Sequence, residues 1–316
     1  MKRKNLFMLV VMAIAVIALN GCAKDGATGP TGQNGTNGTN GTNGTNANAI
    51  SAADSAAYNA ADGSIGARLY DHLISEANIT TPAVRNYPNF FRCKQCHGWD
   101  LRGSMGAYIN RAANASRPVV ASNDIYMYAK LHDIKQIFDA VKHTGGTTVG
   151  LKSTDSYTAA MPDYGKLLSD AQVWDIVKFL KKDAHNFDDF YDMNTTGMYP
   201  TGTVSFKNIG RGGDPVAGLA TYNALCKSCH GANGTQINVY CQGEYMGGFF
   251  RSNPHELIHK GKWGMPMDID HPSCSYAGAM SVFTTITDQD LRNMLVMGQD
   301  TVAFPSTAKD SPFIDE

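Results

Sequence analysis

The pentapeptide Cys93-Lys94-Gln95-Cys96-His97 recurs as Cys226-Lys227-Ser228-Cys229-His230, and each copy is followed by a glycine, Gly98 or Gly231. Two thiols at this spacing can add to the two vinyl groups of one haem, and the adjacent histidine then lies beneath the iron as its proximal ligand. A thioredoxin-like Cys-x-x-Cys is the competing interpretation, but it needs a strand before the motif. Two copies, both with histidine, favour two covalent haem c groups. The length of 316 residues suits two ordinary domains better than one.

The N-terminus is an export address. Lys2, Arg3 and Lys4 precede a 14-residue apolar run over 6–19, which is too short to span a bilayer comfortably and has signal-peptide proportions. It ends in Leu19-Asn20-Gly21-Cys22, which resembles the bacterial lipobox. That resemblance implies cleavage before Cys22 and lipidation of its sulfur. With Ala23 next in sequence, it also implies the outer membrane, on the periplasmic or the cell-surface face. Loss of Lys2, Arg3 and Lys4 with the leader moves the formal net charge from −1 to −4. No basic field exists for nucleic acid. Beyond the leader, glycine recurs every third residue from Gly26 to Gly44, mostly with Thr-Asn between. That period is the steric signature of collagen, but Pro30 is its only proline. The composition favours a disordered Gly-rich tether over a collagen-like stalk, which would make the chain an oligomer.

The two attachment motifs resemble those of the class I c-type cytochromes, small helical domains holding one haem between His and, usually, Met. The resemblance covers roughly 53–185 and 212–305. It implies an all-α fold of two tandem class I cytochrome c domains after the tether. The expected boundaries are a lipoprotein signal peptide at 1–21, the tether at 22–50, a first domain at 51–185, a linker at 186–212 and a second domain at 213–316.

Local helix logic agrees. Asp214 can cap a helix with Pro215 in its first position, and Leu219, Tyr222 and Leu225 fall at helical spacing. Gly66-Ala67-Arg68-Leu69-Tyr70 looks like the same helix before the first motif. There, about twenty residues with Pro82 and Pro88 intervene before Cys93, so that helix is expected to be displaced. Ser169 with Gln172 forms a capping box ahead of Val173, Trp174, Ile176, Val177 and Leu180. Thr287 caps a helix bearing Leu291, Met294 and Leu295. Met161 lies eight residues before its cap and Met280 seven before its own. The parallel placement selects Met161 and Met280 as distal ligands opposite His97 and His230, with Met265 or Met267 as alternatives at the second site.

His143 and His259 occupy parallel Lys-His or His-Lys turns, expected near haem propionates or solvent, with bis-His ligation the rival reading. His72, His132, His185, His255 and His271 have no ligand-like spacing and are expected at the surface. Trp99 is expected near the first haem and Trp263 near the second. The 103–123 stretch reads as loop. In the linker, Phe187, Phe190 and Tyr191 are expected to pack between domains, and 201–206 has turn and short-strand character.

Of seven cysteines, one goes to lipid and four to haem. Cys241 and Cys274 remain, and an oxidising compartment favours a disulfide between them. A thiolate ligand to the second haem, as in thiosulfate-oxidising dihaem cytochromes, is the alternative. With His and Met on each iron, no coordination position is open. The expected function is electron transfer in the cell envelope between transient redox protein partners, with extracellular acceptors among the candidates. The rival is a dihaem redox enzyme resembling a thiosulfate dehydrogenase or a peroxidase.

Overall fold

The computed structural model describes residues 50–114, 117–145, 161–237, 244–267 and 279–306. The leader, the tether, Cys22, Cys241, Cys274 and His271 lie outside them. No helix among the described residues is long and apolar enough to cross a membrane.

The chain begins with α1 (Ala52–Ala60), capped by Ser51 in a reciprocal capping box with Asp54, and α2 (Gly63–Glu76), capped by Asp62. Two single turns, Pro82–Arg85 and Pro88–Phe91, each opened by proline, fill the stretch before α3 (Cys93–His97). After a loop with one 3-10 turn come α4 (Ile125–Leu131), α5 (Ile134–Lys142) and α6 (Asp170–Lys178). The Ser169–Gln172 capping box forms as expected, and α6 runs on into a π-helical turn, Phe179–Asp183. The second half holds α7 (Pro215–Leu225), α8 (Lys227–His230), α9 (Met246–Ser252), α10 (Pro254–Trp263) and α11 (Asp288–Met297). Asp214 and Thr287 cap α7 and α11 with the hydrogen bonds their sequence predicts.

The fold is not all-α. Within the expected linker, β1 (Asp192–Thr196) and β2 (Thr203–Lys207) form an antiparallel hairpin, with Asp192 opposite Lys207 and Thr196 opposite Thr203. Val204 and Phe206 at alternating positions suit a half-buried strand, and β2 alternates exposed and half-buried residues accordingly. Phe187, Phe190 and Tyr191 belong to the core of the second half, with Tyr191 edge-on to Phe206 at 5.2 Å.

Two larger hydrophobic cores result. One gathers Leu69, Leu73, Phe90, Val173 and Val177; the other gathers Tyr222, Phe250, Leu291, Leu295 and Phe304. Each is organised by one crossing. In the first half α2 lies on α6, and in the second α7 lies on α11. The two crossings match atom for atom. The Asp62 N–H donates to Asp175 Oδ1 at 2.7 Å, and the Asp214 N–H donates to Asn293 Oδ1 at 2.8 Å. Gly66 and Gly218 sit where a Cβ would stand 2.0 Å from the Asp175 carbonyl oxygen and 2.1 Å from that of Asn293. Helix α2 is therefore not displaced, contrary to the sequence expectation. The extra residues before Cys93 are absorbed by the two proline-led turns, leaving the crossing intact. Residues Ala47–Glu316 form one compact unit.

Candidate functional site

Each attachment helix follows from its sequence. Helix α3 carries both cysteines and the histidine in one turn, α8 carries Cys229 and His230 with Cys226 at its N-cap, and in both the chain reverses at the glycine that follows. A tyrosine on the preceding long helix holds that reversal. The Tyr70 hydroxyl donates to the Gly98 carbonyl at 2.6 Å, and the Tyr222 hydroxyl donates to the Gly231 carbonyl at 2.8 Å. Asp62, Gly66 and Tyr70 thus stand at the same intervals as Asp214, Gly218 and Tyr222. An Asp-x3-Gly-x3-Tyr pattern was available in the sequence, but nothing about a single helix reveals that the glycine marks a crossing.

The first cleft, about 280 Å³, is lined by Cys93, His97, Met161, His143 and Tyr164 among mainly apolar side chains. The second, about 60 Å³, is lined by Cys226, His230, Met280, Met246 and Lys260 among others. The structure therefore brings each cysteine–histidine pair together with the methionine that the internal repeat selects. Met265 and Met280 pair through their backbones, with N–H to oxygen distances of 3.1 and 2.9 Å. Met280 is the one of the pair that borders the cleft, and Met267 is exposed.

Electrostatics suit ligation by neutral groups. Burial pulls the His97 imidazole down to about 4 and lowers His230 as well, so both rings are uncharged at neutral pH. Burial pushes the Cys93 thiol up to about 12, and Cys96 and Cys226 up to about 11. Each histidine also has a buried Nδ1 without a hydrogen-bond partner among the described atoms. Paired thiols, a neutral imidazole, a thioether and apolar walls fit a covalently attached haem. Among the described residues, no cluster of His, Cys, Asp and Glu would hold a separate metal ion.

Several expectations fail at the boundary between the two halves. His259 lies not in a solvent turn but inside α10, fully buried, with Nε2 3.1 Å from the Ala67 carbonyl oxygen. His143 does border the first cleft, its Nδ1 3.1 Å from the Pro162 carbonyl oxygen. His72, His185 and His255 are buried rather than at the surface. His72 joins Asp71 and Arg92, and His185 pairs with Asp288 at 3.2 Å. Trp99 does not line the first cleft; it packs with Ala107, Tyr108 and Val120, and its ring lies 5.0 Å from that of His259. Trp263 does not line the second cleft but joins the first core, beside Phe179. In each case a long-range contact recruits a residue that has no local signature.

Beside the first attachment helix, Asp100 is fully buried and accepts hydrogen bonds from the N–H groups of Ala107 at 2.7 Å and Arg102 at 3.3 Å. Burial pushes its carboxyl up to about 6, against the pull of those donors. A carboxyl raised above its unfolded value binds its proton more tightly in the folded chain. Its contribution is fully present below the unfolded value and is lost as pH rises through about 6. Asp100→Asn is expected to remove on the order of 2–3 kcal/mol of this pH dependence. Denaturant melts of both proteins at pH 4 and pH 7 check this; parallel pH profiles would contradict it.

No curated protein and no solved structure matches the chain significantly. The Cytochrome c family model matches residues 87–183. That segment runs from before the first attachment helix through Met161 and α6, so this part of the chain is similar to cytochrome c domains, whose family carries covalently bound haem c and transfers electrons through it.

Proposed function

We propose that the protein is a dihaem c-type cytochrome lipoprotein that carries electrons in the cell envelope. One observation carries the reading. The second cleft gathers Cys226, His230 and Met280 as the first gathers Cys93, His97 and Met161, and each half has a helix crossing with an aspartate N–H donor and a close glycine. Haem supplies a one-electron couple at each site. Cys93 with Cys96, and Cys226 with Cys229, hold it covalently. His97 and His230 would present neutral nitrogens to the iron, and Met161 and Met280 would supply thioether ligands, which raise the potential. Apolar walls keep water from the irons. Cys22 carries the lipid, the chain sits at the outer membrane, and the glycine-rich tether lets the folded part reach transient redox partners. Cys241 and Cys274 form a disulfide.

The test is haem counting by alkaline pyridine spectra and intact mass, followed by spectropotentiometry. Two haems per chain are expected. Met161→Ala and Met280→Ala each lose the methionine–iron charge-transfer band of one haem and lower its potential by on the order of 0.1 V or more. Met265→Ala leaves both haems unchanged. An unaltered second haem in Met280→Ala would remove that ligand assignment, and a single haem per chain would remove the dihaem reading.

A further inference from the structure

Helix α10 faces both sites. Leu257, Lys260 and Gly261 border the second cleft. His259, one residue from Lys260, reaches into the first half instead. Its ring is buried, with its centroid 6.2 Å from Tyr70, 5.0 Å from Trp99 and 5.6 Å from Phe179. A carbonyl oxygen only accepts, so the 3.1 Å contact with Ala67 places the proton on Nε2 and fixes the tautomer. Burial lowers this imidazole to about 4, so the ring is neutral and adds no charge between the sites. Tyr70 in turn borders the first cleft, and its hydroxyl holds the carbonyl of Gly98, next to His97.

These contacts form a continuous packed path. It runs from the wall of the first cleft through the Tyr70 ring to the His259 ring, then along one peptide unit to Lys260 on the wall of the second. Electronic coupling falls steeply across empty space and more slowly through packed or bonded atoms. We infer that His259 is the junction through which the two haem sites exchange electrons. The inference rests on the dihaem reading above. The step is a single-electron exchange in which one iron is oxidised and the other reduced, with no bond made or broken and no proton moved. His259 is a positioning residue: it fills the space between Tyr70 and α10 and clamps α10 to the Ala67 carbonyl. Trp263 also crosses the boundary, against Phe179 at 6.2 Å, but it borders neither cleft and serves as the control.

The experiment uses the full haem-loaded chain. The protein is photoreduced by one electron per molecule, and redistribution of that electron between the haems is timed. His259→Gln keeps a donor for Ala67 and removes the ring. His259→Phe keeps a ring and removes the donor. His259→Gln is expected to slow the exchange several-fold with both haem potentials unchanged, while His259→Phe and Trp263→Leu stay near the wild-type rate. Wild-type exchange in His259→Gln would overturn the junction, as would an equal slowing in Trp263→Leu. If His259→Gln does not fold, Tyr70→Leu removes the facing ring and reads the same junction; an unchanged rate there overturns it too. Haem counting on the same samples separates the two ideas. One haem per chain sinks the dihaem reading, whereas two haems with an unchanged rate sink the junction alone.

Discussion

Gly66→Ala and Gly218→Ala are each expected to destabilise the half that carries them by about 2–3 kcal/mol or more, although alanine is the better helix former. In an isolated helix the exchange would gain about 1 kcal/mol. Here the new methyl group would sit 2.0 Å from the Asp175 carbonyl oxygen in the first crossing, and 2.1 Å from that of Asn293 in the second. The obstacle is helix backbone, which cannot rotate aside as a flexible side chain can. The helices must separate, and separation strips the contacts between Leu69, Leu73, Val173 and Val177 in one half, or Tyr222, Leu291 and Leu295 in the other. It also stretches the hydrogen bonds from the Asp62 and Asp214 N–H groups. Thermal melts followed by circular dichroism, with hydrogen exchange mapped onto each half, report the damage, and each substitution is expected to affect its own half more. A variant as stable as the parent would mean that the crossing is looser than these distances state.

Arg92→Met is expected to cost on the order of 2–3 kcal/mol, below the usual penalty for stranding a buried charge because His72, Lys260 and Lys94 still face Asp71. Asp71 and Arg92 are both buried. The guanidinium donates to the Asp71 carbonyl at 2.7 Å and to its Oδ1 at 2.8 Å, at the point where α2 bends at His72. Burial alone would raise the Asp71 carboxyl. His72, Lys260, Arg92 and Lys94 outweigh it and hold the carboxyl well below the ordinary range. A carboxyl depressed in the folded state contributes stability above its unfolded value, and that stability is lost as pH falls through the folded value. Removing Arg92 weakens the depression, so the fall in stability on the acid side should become shallower as the stability at neutral pH drops. Denaturant melts from pH 7 to pH 3 measure both. Combining the change with Asp71→Asn should recover part of the loss, because the stranded charge goes with it. Additive losses in the double variant would show that the pair is not coupled.

The legible parts of this protein were those that local chemistry settles. The caps at Ser169, Asp214 and Thr287 form because a short side chain reaches N–H groups one turn away. Matching one half against the other points to Met280 rather than Met265, and Met280 is the one that lines the second cleft. Helix α2 keeps its place because the length of an inserted loop is no measure of distance in space. Long loops cost little closure entropy, so α2 reaches its partner regardless. Trp99 and Trp263 pack away from the clefts, because an aromatic ring goes wherever a large apolar surface needs covering.

By itself the sequence determined which groups each candidate site offers: two thiols one turn apart, a histidine beside them, and a methionine seven or eight residues before a capped helix. These are local patterns, fixed by helix geometry over a few residues. Only the tertiary structure decided how the two halves meet. The face that α10 turns toward the first half, the burial of His259 against Ala67 and Tyr70, and the enclosure of Asp71 with Arg92 all depend on residues far apart in the chain. Such contacts arise because a helix between two cores must bury side chains on more than one face. Periodicity says how many faces are apolar but does not say which neighbour each one will meet.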